Sequence, residues 1–250
     1  MIDNISVVII AKDAQSTIQH TLDSLVNFEE VILYLNNTTD DTHNIAARYN
    51  NVKVINGEFT GFGPTKNAAA NYSKNDWVLS LDSDEVLSIG FINDLSLLNL
   101  DNSSVYSINR VNFYKQQQIK HCWSDDIIVR LYNKKLTTFN NSNVHEKIID
   151  EGFENIIINS EVEHYPYLSI SDFIEKLDRY SSIFANEWVG KKSSSPVKAI
   201  LNGTFSFFKT YILKRGFLDG YPGLIIAFSH MATNFYKYIK LYELNRELDK

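Results

Sequence analysis

Four short runs of apolar, mostly β-forming residues recur along the first third of the chain. They are Ile5-Ser-Val-Val-Ile-Ile10, Val31-Ile-Leu-Tyr-Leu35, Val52-Lys-Val-Ile55 and Trp77-Val-Leu-Ser-Leu81. Runs this continuous mark strands covered on both faces, because neither face has to meet water. Helical spacing fills the gaps. Ile18, Leu22, Leu25 and Val26 share a face after the first run, and Ile45, Ala46 and Tyr49 after the second. Gly61-Phe-Gly-Pro64 ends in a proline suited to the first position of a helix that continues through Thr65-Lys-Asn-Ala-Ala-Ala70. Strand–helix units with short connections require a mostly parallel sheet with helices on both faces, an α/β, Rossmann-like arrangement.

The fourth run breaks abruptly into Asp82-Ser83-Asp84-Glu85. A buried strand cannot keep ionised carboxylates unpaired, since desolvating a lone charge costs several kcal/mol or shifts its pKa. The acids therefore belong at the exposed carboxyl end of the strand, where open α/β sheets bind ligands. Asp82 and Asp84 can direct their oxygens into one volume and suit a hard cation such as Mg²⁺ or Mn²⁺ bridging to a phosphate. The competing reading is an acidic turn, with Asp84 or Glu85 favouring a helix start through its dipole.

Composition narrows the classes. The chain has 250 residues, 44% hydrophobic and 22% charged, enough for a sizeable core. A lone cysteine, Cys122, excludes an internal disulfide framework and fits a reducing compartment. The amino terminus lacks signal-peptide character, which leads us to expect a cytoplasmic protein. The net charge of −6 divides unevenly: residues 191–250 carry ten Lys/Arg against four Asp/Glu, and residues 1–190 fourteen against twenty-six. An acidic body argues against a nucleic-acid binder, while the basic tail suits an anionic contact. No G-x-G-x-x-G or Walker loop occurs, so phosphates would be held by a metal and a few side chains.

Several motifs carry a family resemblance. Ser6-Val-Val-Ile-Ile-Ala-Lys12, Thr39-Asp40-Asp41-Thr42, Gly61-Phe-Gly63 with Lys66-Asn67, and the Trp77–Glu85 stretch resemble family 2 glycosyltransferases. Trp123 to Leu131, Val144-His-Glu146 and Tyr211-Ile-Leu-Lys-Arg-Gly-Phe-Leu-Asp-Gly-Tyr-Pro-Gly223 are similar to the branch that adds glucose to the inner core of bacterial lipopolysaccharide. The resemblance implies a GT-A fold, a nucleotide-diphosphate sugar donor, inversion at the anomeric carbon and a divalent metal, Mg²⁺ or Mn²⁺. It places the donor among Ala11, Asp13, Asn36, Asn37, Asp40, Lys66, Asp82, Ser83 and Asp84, and the metal on Asp82 and Asp84, with His145 as an option for a third ligand. The family usually ends its second strand in an aspartate that contacts the donor base; Leu35 stands there instead. Leucine accepts no hydrogen bond, so base recognition passes to Asn36, Asn37 or Asp13, with uridine the preferred base.

Residues 105–143 alternate apolar and polar positions as a strand pair would. An inverting transfer needs a base for the acceptor hydroxyl proton, and a carboxylate at the donor site's edge can serve. Asp126, just before Ile127-Ile-Val-Arg-Leu-Tyr132, matches the family's aspartate; Glu146 is the second candidate. Asp126 alternatively pairs with Arg130 or a nearby cation. In a strand His145 and Glu146 would face opposite ways, so one of the two would face the site. A structural hydrogen-bonding role for the histidine stays open, and His164 has the weaker case for function.

Ser169-Ile-Ser-Asp172 has capping-box spacing, and Phe173, Leu177, Tyr180 and Phe184 stripe the helix that would follow. Residues 197–242 interleave aromatics with Lys198, Lys209, Lys214, Arg215, Lys237 and Lys240, and Gly220-Tyr-Pro-Gly223 would break this tail into two helices. No apolar run reaches the ~18–20 residues of a bilayer span. A helix lying in a membrane interface and a hairpin packed on the body or in a homodimer both fit.

The resulting expectation is a nucleotide-sugar-binding half (1–104), an acceptor-binding half (105–168) and a helical C-terminal extension (169–250). The chain would move glucose from UDP-glucose onto an inner-core heptose of a lipid-linked oligosaccharide, at or near the cytoplasmic face of the inner membrane. The alternatives are another surface glycan (capsule or glycoprotein) or a non-catalytic sugar-nucleotide scaffold. Asp82, Asp84 and Asp126 weigh against the scaffold, Leu35 for it.

Overall fold

The computed structural model describes residues 1–124, 126–142 and 146–248. The chain divides into two units, Met1–Val111 with Asp125–Tyr165, and Asn112–Ser124 with Pro166–Lys250.

In the first unit β1 (Ile5–Ala11), α1 (Ile18–Asp23), β2 (Val31–Leu35), α2 (Thr42–Ala46), β3 (Val52–Asn56), α3 (Phe62–Ala70) and β4 (Trp77–Asp82) follow the expected alternation. The short strand β5 (Glu85–Leu87) and α4 (Ile89–Leu97) come next, then β6 (Ser104–Tyr114), β7 (Gln117–Gln118), β8 (Asp126–Asn133) and β9 (Glu154–Tyr167). The sheet order is β3-β2-β1-β4-β8-β6-β9-β5, with β7 added to the end of β6. β1 pairs in parallel with both β2 and β4, and β2 with β3. β8 then enters antiparallel to β4 and β6, so the strand pair expected over 105–143 is present.

Strand alternation divides the core between the sheet's two faces. Val7, Ile9, Leu33 and Leu79 pack into one cluster with Ile18, Leu22 and Phe91. Val8, Ile32, Tyr34 and Val78 join Val105, Tyr132 and Phe139 in the other. Burial on both faces is why these strands read as continuous apolar runs.

Several boundaries differ from the sequence expectation. Val26 and Tyr49 lie beyond the short helices α1 and α2, and Val26 is exposed. Gly61, at φ 111, is the N-cap of α3, which places Pro64 third in the helix rather than first. It still falls in the first turn, where the missing N–H breaks no helical bond. After Asp82 no helix begins; Glu85 opens a strand instead, so the acids do not cap a helix.

The second unit contains α5 (Ile170–Trp188), α6 (Pro196–Phe208) and α7 (Gly220–Leu248). Ser169 and Asp172 form the full capping box of α5. The buried stripe of α5 runs through Phe173, Ser181 and Ala185, leaving Tyr180 exposed. A π-helical turn (Lys209–Leu213) and a 3-10 turn (Gly216–Asp219) separate α6 from α7. Gly220-Tyr-Pro-Gly223 therefore starts the second tail helix instead of lying between the two; Pro222 falls in its first turn and costs no helical bond.

Candidate active site

The carboxyl ends of β1, β2 and β4 lie side by side, because Ile10 is in register with Asp82 and Ala11 with Leu35. The loops leaving β1 and β2 are stapled together. Asp13 Oδ1 accepts from the Thr39 N–H at 2.7 Å, and Asp40 Oδ2 from the Gln15 N–H at 2.9 Å. The Asn36 N–H reaches the Ala11 carbonyl at 3.2 Å. Burial works against the ionised form of Asp40, but bonds from Thr42 and Gln15 outweigh it and hold the carboxyl below its ordinary range. Asp13 and Asn37 occupy left-handed backbone (φ 48 and 50), a region Asp and Asn tolerate best among side-chain-bearing residues. Ala11, Asp13, Asn36, Asn37 and Asp40 thus form one linked loop pair, and Leu35 is buried in the core beneath it.

A network of alternating charges surrounds the end of β4. Lys66 Nζ lies 2.9 Å from Asp82 Oδ1 and 3.0 Å from Glu146 Oε1. Arg130 Nη2 donates to Asp82 Oδ2 at 2.6 Å and reaches Glu85 Oε1 at 3.3 Å. Arg110 donates to Glu85 Oε1 at 2.8 Å and to Asp126 Oδ2 at 2.8 Å. The Arg110–Asp126 contact is a direct cross-strand pair between β6 and β8. Burial disfavours the charge on Asp82, yet Arg130, then Lys66 and Arg110, hold its carboxyl well below the usual carboxylate range. Burial likewise opposes the charges of Arg130 and Arg110. Asp82 and Glu85 push Arg130 above its ordinary value, as Glu85 and Asp126 do Arg110. A network of this kind adds little net stability over apolar packing of equal volume. The lowered Asp82 carboxyl, set among three cations, makes this cluster a functional-site candidate.

Local structure explains why Lys66 points inward. Asn67, its neighbour on α3, clamps Phe139 through two 2.9 Å bonds, side-chain amide to carbonyl and side-chain oxygen to N–H. The Phe139 ring then lies 5.2 Å from Lys66 Nζ. Gly63 permits the close approach, since a Cβ there would stand 1.9 Å from the Asn140 carbonyl oxygen.

Ser83 and Asp84 make the turn after β4. The Ser83 carbonyl accepts from the Thr21 hydroxyl at 3.0 Å, and the Asp84 carbonyl from the Tyr165 N–H at 2.9 Å. His164 Nε2 approaches Asp84 Oδ1 to 3.7 Å. His145 lies outside the described residues. Among the described residues no group of three or more His, Cys, Asp or Glu is arranged to hold a metal ion. The donor set nevertheless fits a hard cation. An ionised carboxylate offers about four lone-pair sites, Asp82 keeps 32% of its side chain exposed, and Mg²⁺ is commonly held by one or two carboxylates plus substrate phosphates.

Sequence reasoning singled out Lys66, Asp82, Asp126 and Glu146, which the structure joins into this network. Asp126 pairs with Arg110, a nearby cation of the kind raised as an alternative. The reading missed Arg110 and Arg130 as site residues, and the role of Glu85, which is fully buried and also accepts from the Asp82 N–H at 2.9 Å. A signal existed. An arginine inside an apolar strand, as in Ile-Val-Arg130-Leu, must find an acid when buried, and three acids crowd the end of β4.

Known proteins fit this picture. The model of glycosyl transferase family 2 matches residues 6–162, and the chain belongs to that family. An uncharacterised glycosyltransferase of Rickettsia typhi is 30% identical over 257 residues, covering 96% of this chain and 87% of its own. One from Rickettsia prowazekii is also 30% identical, with the same coverage. Among solved structures, a mannosyltransferase of Pyrobaculum calidifontis in complex with GDP-Man and Mn²⁺ superposes with a TM-score of 0.55 at 10% identity, covering 95% of this chain and 86% of that one. The fold is GT-A, and the activity class is glycosyl transfer from a nucleotide sugar.

Proposed function

We propose that this chain is an inverting, metal-dependent hexosyltransferase that moves glucose from UDP-glucose, in β linkage, onto an inner-core heptose of a lipid-linked lipopolysaccharide or lipooligosaccharide. Residues 1–104 would bind the donor and 105–168 the acceptor, at the cytoplasmic side of the inner membrane. The observation that carries the reading is the clustering of Asp82, Asp126 and Glu146 around Lys66, Arg110 and Arg130 at the carboxyl end of β4. The Pyrobaculum enzyme, solved with a nucleotide sugar and Mn²⁺, supports a donor and cation of those classes.

Asp82 and Asp84 would hold the cation, which supplies charge neutralisation to the leaving diphosphate. The loop pair at Asp13, Asn36 and Asn37 would face the nucleoside, since Leu35 cannot. Lys66 and Arg130 keep Asp82 ionised at any physiological pH. The acceptor hydroxyl oxygen attacks the anomeric carbon, its proton passes to Asp126, and the carbon–oxygen bond to the diphosphate breaks with its electron pair leaving on the diphosphate. Arg110 holds Asp126 in place, so transfer requires Asp126 to exchange this contact for the hydroxyl. Glu146, tied to Lys66, is the second carboxylate in reach of such a role.

A donor panel tests the reading. Slow hydrolysis of UDP-, GDP- and dTDP-sugars without acceptor should be fastest with UDP-glucose. A clear preference for a guanosine or thymidine donor overturns the donor assignment, and failure to transfer to heptose-terminated core oligosaccharide overturns the acceptor.

A further inference from the structure

α6 is built with its small residues inward. Ala199 and Gly203 are its buried positions, and a Cβ on Gly203 would lie 3.0 Å from the Met231 carbonyl and 3.3 Å from Phe235 Cβ on α7. The large apolar residues face the other way: Val197, Leu201, Phe205 and Phe208 are 66, 64, 61 and 48% exposed. This reverses the arrangement of an ordinary surface helix, whose apolar stripe faces the core. The exposed series continues through the next turns with Ile212, Leu213, Phe217, Leu218 and Tyr221. Large exposed apolar patches are rare on soluble proteins and mark interaction surfaces.

These turns are not loose. The Asp219 carboxylate, itself buried, accepts from the backbone N–H groups of Lys120, His121 and Cys122 and lies 2.8 Å from His121 Nδ1. Gly223 meets the Gly216 carbonyl so closely that a Cβ would stand 1.9 Å from its oxygen. The apolar side chains are therefore displayed from a fixed backbone, which lowers the ordering cost of docking.

Charge identifies the occupant. Residues 188–242 hold eight Lys/Arg and one acid, Asp219, which is spent on that clasp. Lys209, Lys214 and Arg215 are exposed among the apolar residues. No described helix is long and apolar enough to cross a membrane. We propose that the outward face of α6 and the turns to Tyr221 seat the protein on an anionic lipid surface, with apolar side chains at the headgroup–acyl boundary and cations among the headgroups. A second copy docking by the same face would bring its cations against Lys209, Lys214 and Arg215, and like charges oppose that pairing. The inference goes beyond the proposed reaction and holds whatever sugar is moved.

Vesicle co-sedimentation of the full chain tests it. Wild type should bind phosphatidylglycerol vesicles, bind phosphatidylcholine weakly, and weaken as salt rises. Changing Lys209, Lys214 and Arg215 together to Gln should reduce binding about a hundredfold, roughly 1 kcal/mol per cation. Leu201→Ser with Phe205→Ser, two exposed sites that leave the fold intact, should reduce it at least tenfold. Both variants should hydrolyse donor at the wild-type rate. Absence of wild-type binding at low salt overturns the proposal. So does a wild-type dimer that Leu201→Ser with Phe205→Ser dissociates, since that makes the face a subunit interface.

Discussion

The two units use their positive charges in opposite ways. In the first, Lys66, Arg110 and Arg130 are largely withdrawn from water and each reaches at least two acids. In the second, Lys209, Lys214 and Arg215 stand exposed in a stretch whose single acid is buried. A buried cation interacts strongly with one or two fixed partners and is barely screened, so its position encodes chemistry. An exposed cation contributes about 1 kcal/mol to an anionic surface, fades with salt and matters only in company. Single substitutions should therefore cripple the first unit and leave the second nearly unmoved.

The largest effect belongs to the proposed base. Asp126→Asn keeps the shape but cannot take the proton, so transfer should fall ~10²–10⁴-fold while UDP-glucose binding survives. Normal transfer by Asp126→Asn, with loss in Glu146→Gln, would move the role to Glu146. Next comes Glu85→Gln. The Glu85 side chain is fully buried against Arg110 and Arg130, so neutralising it should cost about 3–5 kcal/mol in urea unfolding, against less than 1 kcal/mol for Lys209→Gln. Equal costs would erase the contrast between the units.

A smaller effect sharpens the contrast within the second unit. His230 is largely buried, with Nδ1 2.9 Å from the Thr210 hydroxyl; burial, then Lys214 and Lys237, lower its pKa from 6.5 to about 4. Between those values the unfolded chain holds the extra proton, so stability is full above pH 6.5 and falls by about 3 kcal/mol as pH drops to 4. Thermal melts across that window should show the slope in wild type and a flatter one in His230→Gln. Parallel slopes would remove His230 as the cause.

The parallel half of the fold was legible because strands buried on both faces have to be apolar throughout, and Val31–Leu35 was located to the residue. The capping box at Ser169 was legible for a similar reason, since its chemistry is local. The start of α3 and the break in the tail were displaced by a few residues. Both depend on close backbone approaches, Gly63 on Asn140 and Gly223 on Gly216, which no local pattern records. The acids of the site announced themselves by ending a buried strand. Which cations pair with them was harder to read: Arg130 inside an apolar strand signals a buried acid but not which one, because Arg110 and Arg130 arrive from β6 and β8, which reach β4 only once the sheet has assembled.

The central claim is that the acids closing β4 bind a nucleotide-sugar donor through a divalent cation. Its most direct test is acceptor-free UDP-glucose hydrolysis by wild type and Asp84→Ala, in EDTA and with Mn²⁺ restored. Wild type should lose turnover in EDTA and regain it with Mn²⁺, and Asp84→Ala should be at least ~100-fold slower than wild type once Mn²⁺ is restored. Full wild-type hydrolysis in EDTA, or an Asp84→Ala variant as fast as wild type, would contradict it.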